Sequence, residues 1–200
     1  MKSVIDSPSG ALVAGLAIAA VILLGWLVIA GADLFAFLVF VVRLLHVLAA
    51  MIWIGLVFFV NFVQLIVLRA ADDPTRNFLH EAMVPRVAWW FRHASTLTVL
   101  SGVVLLVLGG YLLPALIYGT SVFIPAAKAI ALWTAVLGAL AMWMFVHMYI
   151  WPNMQVVLGL RAGDAEAKGN ARARVILFAR LNLILAMPVA LGMIAAAHLY

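Results

Sequence analysis

The sequence predicts an all-α integral membrane protein, a helical bundle with five transmembrane helices, and three observations predict it. Of its 200 residues, 68% are hydrophobic and only 10% charged, against about a quarter charged in a soluble domain. The apolar residues gather in runs long enough for the ~20 residues that cross a ~30 Å hydrocarbon core. The charges fall mostly between those runs. No length is left over for a soluble domain, so residues 1–200 read as a single transmembrane domain.

Residues 1–10 are polar and carry Lys2, Asp6 and Pro8. Ala11 to Ala30 is an unbroken apolar run, longer than the ~7–15 residues of a signal-peptide core, and is predicted to be the first span rather than a cleaved leader. A tight turn at Gly31 to Asp33 leads into a second span over 34–68, too long at ~1.5 Å per residue to end flush with the membrane. In the polar loop 69–86, Asp73 followed by Pro74 reads as an N-cap with proline at the first helical position. Phe78, Leu79 and Met83 would lay that short helix on the membrane surface, and Pro85 would end it. The third span, 87–113, opens on the interfacial cluster Trp89, Trp90 and Arg92. After an uncharged turn from Pro114 to Pro125, the fourth span covers 126–160, with Pro152 expected to kink or loosen its end. A second polar loop, 161–174, precedes the fifth span, 175–200, which has Pro188 midway.

Five spans place alternate connections on opposite sides. Lys2, Arg69, Arg76, Arg86, Arg92, Arg161, Lys168, Arg172 and Arg174 share one side, whereas the other has only Arg43 and Lys128, both inside apolar runs. The positive-inside rule makes the first side cytoplasmic, so the N-terminus is expected in the cytoplasm and the C-terminus in the periplasm of a multi-pass bacterial inner-membrane protein. The net charge of +5 then follows from topology and anionic headgroups: the expected partner is the lipid membrane, with no nucleic acid. No internal repeat favours an inverted-repeat transporter. With no cysteine, disulfides, thiolate zinc sites, Fe–S clusters and covalent haem attachment are excluded, and any cofactor must be held by histidine, methionine or oxygen.

The chemistry concentrates in the stretch from Arg43 to Gln64, RLLHVLAAMIWIGLVFFVNFVQ. Arg43, His46, Trp53, Asn61 and Gln64 drift down one side of a 3.6-residue helix, a side that must face protein or a bound group. An ionisable residue inside a span is costly, which makes His46 the first functional candidate. Counted from the inner ends of their helices, His46 and His198 fall at matching depth near the outer face. Ala49, Ala50 and Ala195 to Ala197 flank them. Stripes of small residues on the third span (Thr98, Gly102, Gly109) and the fourth (Ala131, Ala135, Gly138, Ala139) either pack helices tightly or line a slot for a flat cofactor. Arg43 and Lys128 suit haem propionates, or else snorkel to headgroups. The expectation is one haem b ligated by His46 and His198. His93 and His147, nearer the inner half, offer a second haem site or simple interfacial hydrogen bonding. His80 lies in the loop. Asn61 and Gln64 contact a quinone or hydrogen-bond across helices. The nine methionines show no copper-binding pattern and read as packing.

Several stretches carry a resemblance. Arg43-Leu-Leu-His46 through Trp53-Ile-Gly55, Asn61-Phe-Val-Gln64, Trp89-Trp90-Phe91-Arg92, Thr98 to Gly102, Trp151-Pro152-Asn153, and Ala179-Arg180-Leu-Asn182 through Met187-Pro188 to Ala197-His198 resemble the membrane domain of the bacterial urate hydroxylase (urate oxidase) N-terminal family. The likeness extends over nearly all of the chain from the second helix onward. The first motif is also loosely similar to HemJ-type protoporphyrinogen oxidases and copper resistance D membrane proteins, which share a histidine in an early span. The resemblance implies functional roles for Arg43, His46, Arg180, Asn182 and His198, with Trp53 beside them. Urate-degrading members carry a cytochrome c domain after the membrane part, so the resemblance implies a separate cytochrome c or other redox partner here, the chain acting as a complex subunit or oligomer. The resulting expectation is an electron-transfer or oxidoreductase subunit. The alternatives are a membrane oxidase of urate or protoporphyrinogen, and a haem-free structural or transport subunit.

Overall fold

The computed structural model describes residues 4–31, 33–112 and 125–199. Most of the turn from Pro114 to Pro125, the last residue of the third predicted span and the termini at Lys2 and Tyr200 lie outside them. Among the described residues the chain is helical with no strand, and five helices are long and apolar enough to cross a membrane. This is a multi-pass membrane protein. The chain divides into two compact units, Met1–Val41 and Val42–Tyr200.

The first unit holds a short 3₁₀ turn, Val4–Asp6, and α1, Pro8–Ala30. Ser7 caps α1 by accepting from the Gly10 N–H, and proline occupies the first helical turn, where no N–H is needed. Gly31 ends the helix in the left-handed region at φ 58°, which a residue without Cβ adopts freely. The unit ends in the first turns of α2, whose start is capped by the Asp33 carboxylate accepting from the Ala36 N–H at 2.8 Å.

The second unit is built from the rest of α2, which runs over Leu34–Ala70, then α3 (Asp73–Ala82), α4 (Val84–Leu108), α5 (Ala126–Val157) and α6 (Ala165–His198). The cap of α3 stands one residue before the predicted one: Asp72 accepts from the Thr75 N–H, so Asp73 and Pro74 occupy the first helical turn. Helix α6 starts at Ala165, inside the segment the sequence predicts as loop, because Asp164 caps it and the polar run that follows has no proline to stop a helix. Pro188 is accommodated inside it.

Helices α5 and α6 pack most extensively, and glycines set their approach. A Cβ on Gly192 would lie 2.7 Å from the Ala131 carbonyl, and one on Gly138 would lie 2.6 Å from Val189 Cγ2. The small stripe on α5 therefore serves close helix packing, the first of its two sequence readings. Trp53, Val57, Phe91, Met142, Ala186 and Val189 form the core where α2, α4, α5 and α6 meet. The outward faces are leucine, isoleucine and valine left exposed by the protein, as lipid contact requires.

Two helices widen to i→i+5 hydrogen bonding for a single stretch, Val60–Gln64 in α2 and Phe145–Ile150 in α5. Pro152 accounts for the second. It has no N–H for the carbonyl one turn back and its ring crowds that carbonyl, so the preceding turn opens. In α2 the Asn61 amide accounts for the first, since it donates to its own Val57 carbonyl at 2.8 Å and across to the Ala179 carbonyl of α6 at 3.1 Å. The Val57 oxygen is thus engaged by a side chain, and the backbone adopts the wider register.

Candidate functional site

His46 lies half-buried on α2 facing α4. Its Nδ1 stands 2.9 Å from the Thr98 carbonyl oxygen and 3.2 Å from Ser101 Oγ. A carbonyl only accepts, so Nδ1 carries the proton and Nε2 keeps its lone pair. Gly102 makes room for the ring: a Cβ there would lie 3.0 Å from His46 Cε1. The glycine that the sequence places in a small-residue stripe thus accommodates the histidine itself.

The other candidates are distributed as follows. His198 sits exposed on the last turn of α6. Taking the Asn61 to Ala179 hydrogen bond as a common level, His198 is four residues further along its helix than His46 is along its own, ~6 Å at 1.5 Å per residue. Arg43 is exposed one turn from His46. Lys128 is half-buried with its Nζ 5.4 Å from the Tyr111 ring centroid. Trp53 and Asn182 are 2% and 0% exposed. The Trp53 Nε1 and Asn182 Oδ1 atoms have no hydrogen-bond partner among the described residues, while Asn182 Nδ2 donates to the Phe178 carbonyl of its own helix.

His147 has both nitrogens engaged. Nδ1 donates to the Trp143 carbonyl at 3.0 Å, and Nε2 accepts from the Thr96 hydroxyl, which in turn accepts from Trp143 Nε1. The ring also stacks on Trp143. His93 is exposed, stacked on Trp89, and donates to the carbonyl of that residue at 2.7 Å. Both histidines make the hydrogen bonds that were the second sequence reading for them. Among the described residues no three His, Asp or Glu side chains gather in a way that could hold a metal ion.

A feature the sequence did not single out lies at the other end of α2. A cavity of about 420 Å³ opens among α2 to α6, lined by both π-turns through Val60, Gln64, Val146 and Ile150. Its floor is apolar, with Phe91, Trp151, Met154 and Val175. Its polar lining among the described residues is Gln64, His80 and five arginines, Arg69, Arg76, Arg92, Arg172 and Arg180, with no Asp or Glu. Arg76 is paired with Asp73 at 2.6 Å and also donates to the Leu68 and Ala71 carbonyls. Arg92 lies over the Trp151 ring at 4.0 Å.

No family model, curated protein or solved structure matches this chain.

Whether these residues fit a haem turns on His46. An iron-ligating histidine needs one nitrogen free and the other held, and a carbonyl holding Nδ1–H orients the ring and strengthens the donor at Nε2. The His46, Thr98 and Ser101 arrangement has that form. His147 has no nitrogen left to give. The sequence signal for this difference was the Thr98 to Gly102 segment, which supplies a carbonyl, a hydroxyl and a missing Cβ at one level.

Proposed function

We propose that this protein is a haem b-binding membrane subunit that passes electrons between a membrane reductant and a separate redox partner, with His46 Nε2 as the iron ligand. The observation that carries the reading is the bond from His46 Nδ1 to the Thr98 carbonyl, which leaves Nε2 unprotonated inside a membrane helix. Haem, when bound, supplies a one-electron iron couple.

The chain's own residues do the rest. Thr98 and Ser101 fix the imidazole plane and its tautomer. Gly102 leaves space for the ring, and Arg43 on the same helix face offers a cation to the carboxylates such a group carries. The buried indole of Trp53, two turns from His46, packs into the helix core below it. His198, exposed on its last turn, would be the second residue to hold the group.

The resemblance to the urate hydroxylase membrane domain supports the same reading and favours the bacterial inner membrane. The gathering of Arg69, Arg76, Arg92 and Arg172 at one end of the second unit favours a cytoplasmic position for that end. Oxidation of an organic substrate such as urate or protoporphyrinogen is the alternative, and assay of purified protein with each substrate separates it from electron carriage.

The test is a reduced-minus-oxidised difference spectrum of detergent-purified protein. Bands of a b-type haem, lost in His46→Ala, are expected. A spectrum with no haem bands would leave the haem-free structural subunit in its place.

A further inference from the structure

We infer that the arginine-lined cavity is a binding site for an amphipathic organic anion, an acidic head on an apolar body, independent of any haem at His46. Three observations carry this.

The first is charge. Five arginines face one cavity, and the only carboxylate that pairs with any of them among the described residues is Asp73, on Arg76. Arg92, half-buried, and Arg69, Arg172 and Arg180, exposed on their helices, have no carboxylate partner among the described residues, and their like charges repel. An anion between them offsets that repulsion with charge-assisted hydrogen bonds.

The second is unmet hydrogen bonding. Gln64 is only 4% exposed, it lines the cavity, and its Oε1 has no partner among the described residues. His80 Nδ1 and Arg92 Nε, on two more lining residues, are likewise buried and unpaired. Buried polar atoms are costly when left alone. All three belong to residues that line this one cavity, where a side-chain rotation would bring them to a ligand.

The third is shape. Phe91, Val146, Met154 and Val175 give the cavity an apolar floor, so a bare inorganic anion would leave most of the lining without contact. Both π-turns sit in the wall. Gln64 lines the cavity from the first of them and Ile150 from the second.

The experiment uses detergent-purified full-length protein and 1-pyrenebutyrate, with the uncharged 1-pyrenebutanol as its pair. Energy transfer from tryptophan to pyrene reports binding. The acid is expected to bind at least about tenfold more tightly than the alcohol, since charge-assisted hydrogen bonds exist only for the acid. The double substitution R92Q/R172Q is expected to remove most of that preference. R86Q, outside this cavity with its guanidinium on the Ala82 carbonyl, is expected to keep it. Equal affinity for acid and alcohol overturns the inference, as does an equal loss in R86Q. The acid and alcohol comparison on unsubstituted protein decides the matter even where R92Q/R172Q fails to fold.

Two further arms identify the natural source of the anion. In nanodiscs, displacement of the probe by dioleoylphosphatidylglycerol but not by dioleoylphosphatidylcholine assigns the site to an anionic phospholipid head. Displacement by neither assigns it to an acid that enters from water. Equal displacement by both lipids removes the requirement for an anion and overturns the inference.

Discussion

The imidazole of His46 and the main chain of Thr98 meet at 2.9 Å from Nδ1 to carbonyl oxygen, joining the second and third membrane-spanning helices by a bond that fixes which nitrogen of the ring is free. Ser101 Oγ stands beside the same Nδ1 while donating to the Leu97 carbonyl at 2.6 Å. The hydroxyl is therefore held by its own helix, and its lone pairs are left for the ring. Whatever His46 binds is bound through Nε2.

Gly102 controls that geometry. A methyl group there would stand 3.0 Å from Cε1 and 3.4 Å from Nδ1 of His46, so the ring must move by a few tenths of an ångström and its bond to Thr98 lengthens. Gly102→Ala is expected to lower stability by about 1 kcal/mol and to shift any haem absorption bands. Gly55→Ala, on the same helix as His46 with nothing within 4 Å of the added methyl, should leave the bands in place. Unfolding curves and spectra of the two variants check this.

Gly192 and Gly169 lie on one helix and should respond in opposite directions. At Gly192 the added Cβ meets backbone atoms, the Ala131 oxygen at 2.7 Å and the Ala135 nitrogen at 3.2 Å. Backbone cannot rotate aside, so Gly192→Ala is expected to destabilise by about 2 kcal/mol. At Gly169, exposed with open space around it, the same change is expected to stabilise by about 1 kcal/mol through helix propensity alone. Thermal unfolding in a mild detergent measures both.

Asn61 ties α2 to α6 through the Ala179 carbonyl and holds the Val57 carbonyl of its own helix. Asn61→Leu fills similar space without either bond, and is expected to cost about 1 kcal/mol. It should also raise amide exchange across Val60–Gln64 as the π-turn loses its side-chain support. Unchanged exchange there would mean that the turn is set by packing alone.

Asp72, outside the membrane-spanning segments, gives a pH dependence. Hydrogen bonding from the Thr75 side chain, and then from its backbone N–H, holds the carboxyl below its ordinary value. A depressed folded-state pKa means that the cap contributes fully above the unfolded value of about 4 and is lost as pH falls through the folded value. Helix α3 is therefore expected to fray below about pH 4, and Asp72→Ala should show the frayed state at neutral pH. Amide exchange of Arg76 and Asn77 across a pH series reads it directly.

The spans were legible because apolar run length is nearly sufficient to define a membrane helix, and Pro152 announced the disturbance in α5 for the reason the structure bears out. The start of α6 was not legible from hydropathy. Residues 165–174 are polar yet helical, and only the Asp164 cap signals it. The cavity was hidden for a different reason. Arg69, Arg92 and Arg172 each sit at the end of an apolar run, where topology and headgroups already explain a cation, and nothing in a linear reading shows that they converge. The available signal was periodic. Arg172, Val175, Ile176, Ala179 and Arg180 recur at helical spacing, as do Val84, Val87, Ala88, Phe91 and Arg92. The first places an apolar stripe and two arginines on a single face and the second a stripe and one, which marks a lined site more than a solvated helix end. Gln64 and Arg180, both noted in the sequence, belong to this cavity and not to the neighbourhood of His46.

The central claim is that His46 Nε2 is an iron ligand, and chemical rescue tests it most directly. His46→Gly, purified with and without imidazole in the medium, should lack haem bands in the first case and regain them in the second, because free imidazole can occupy the space the side chain vacates. Haem bands in His46→Gly identical to those of the unsubstituted protein, with no response to imidazole, would contradict the claim.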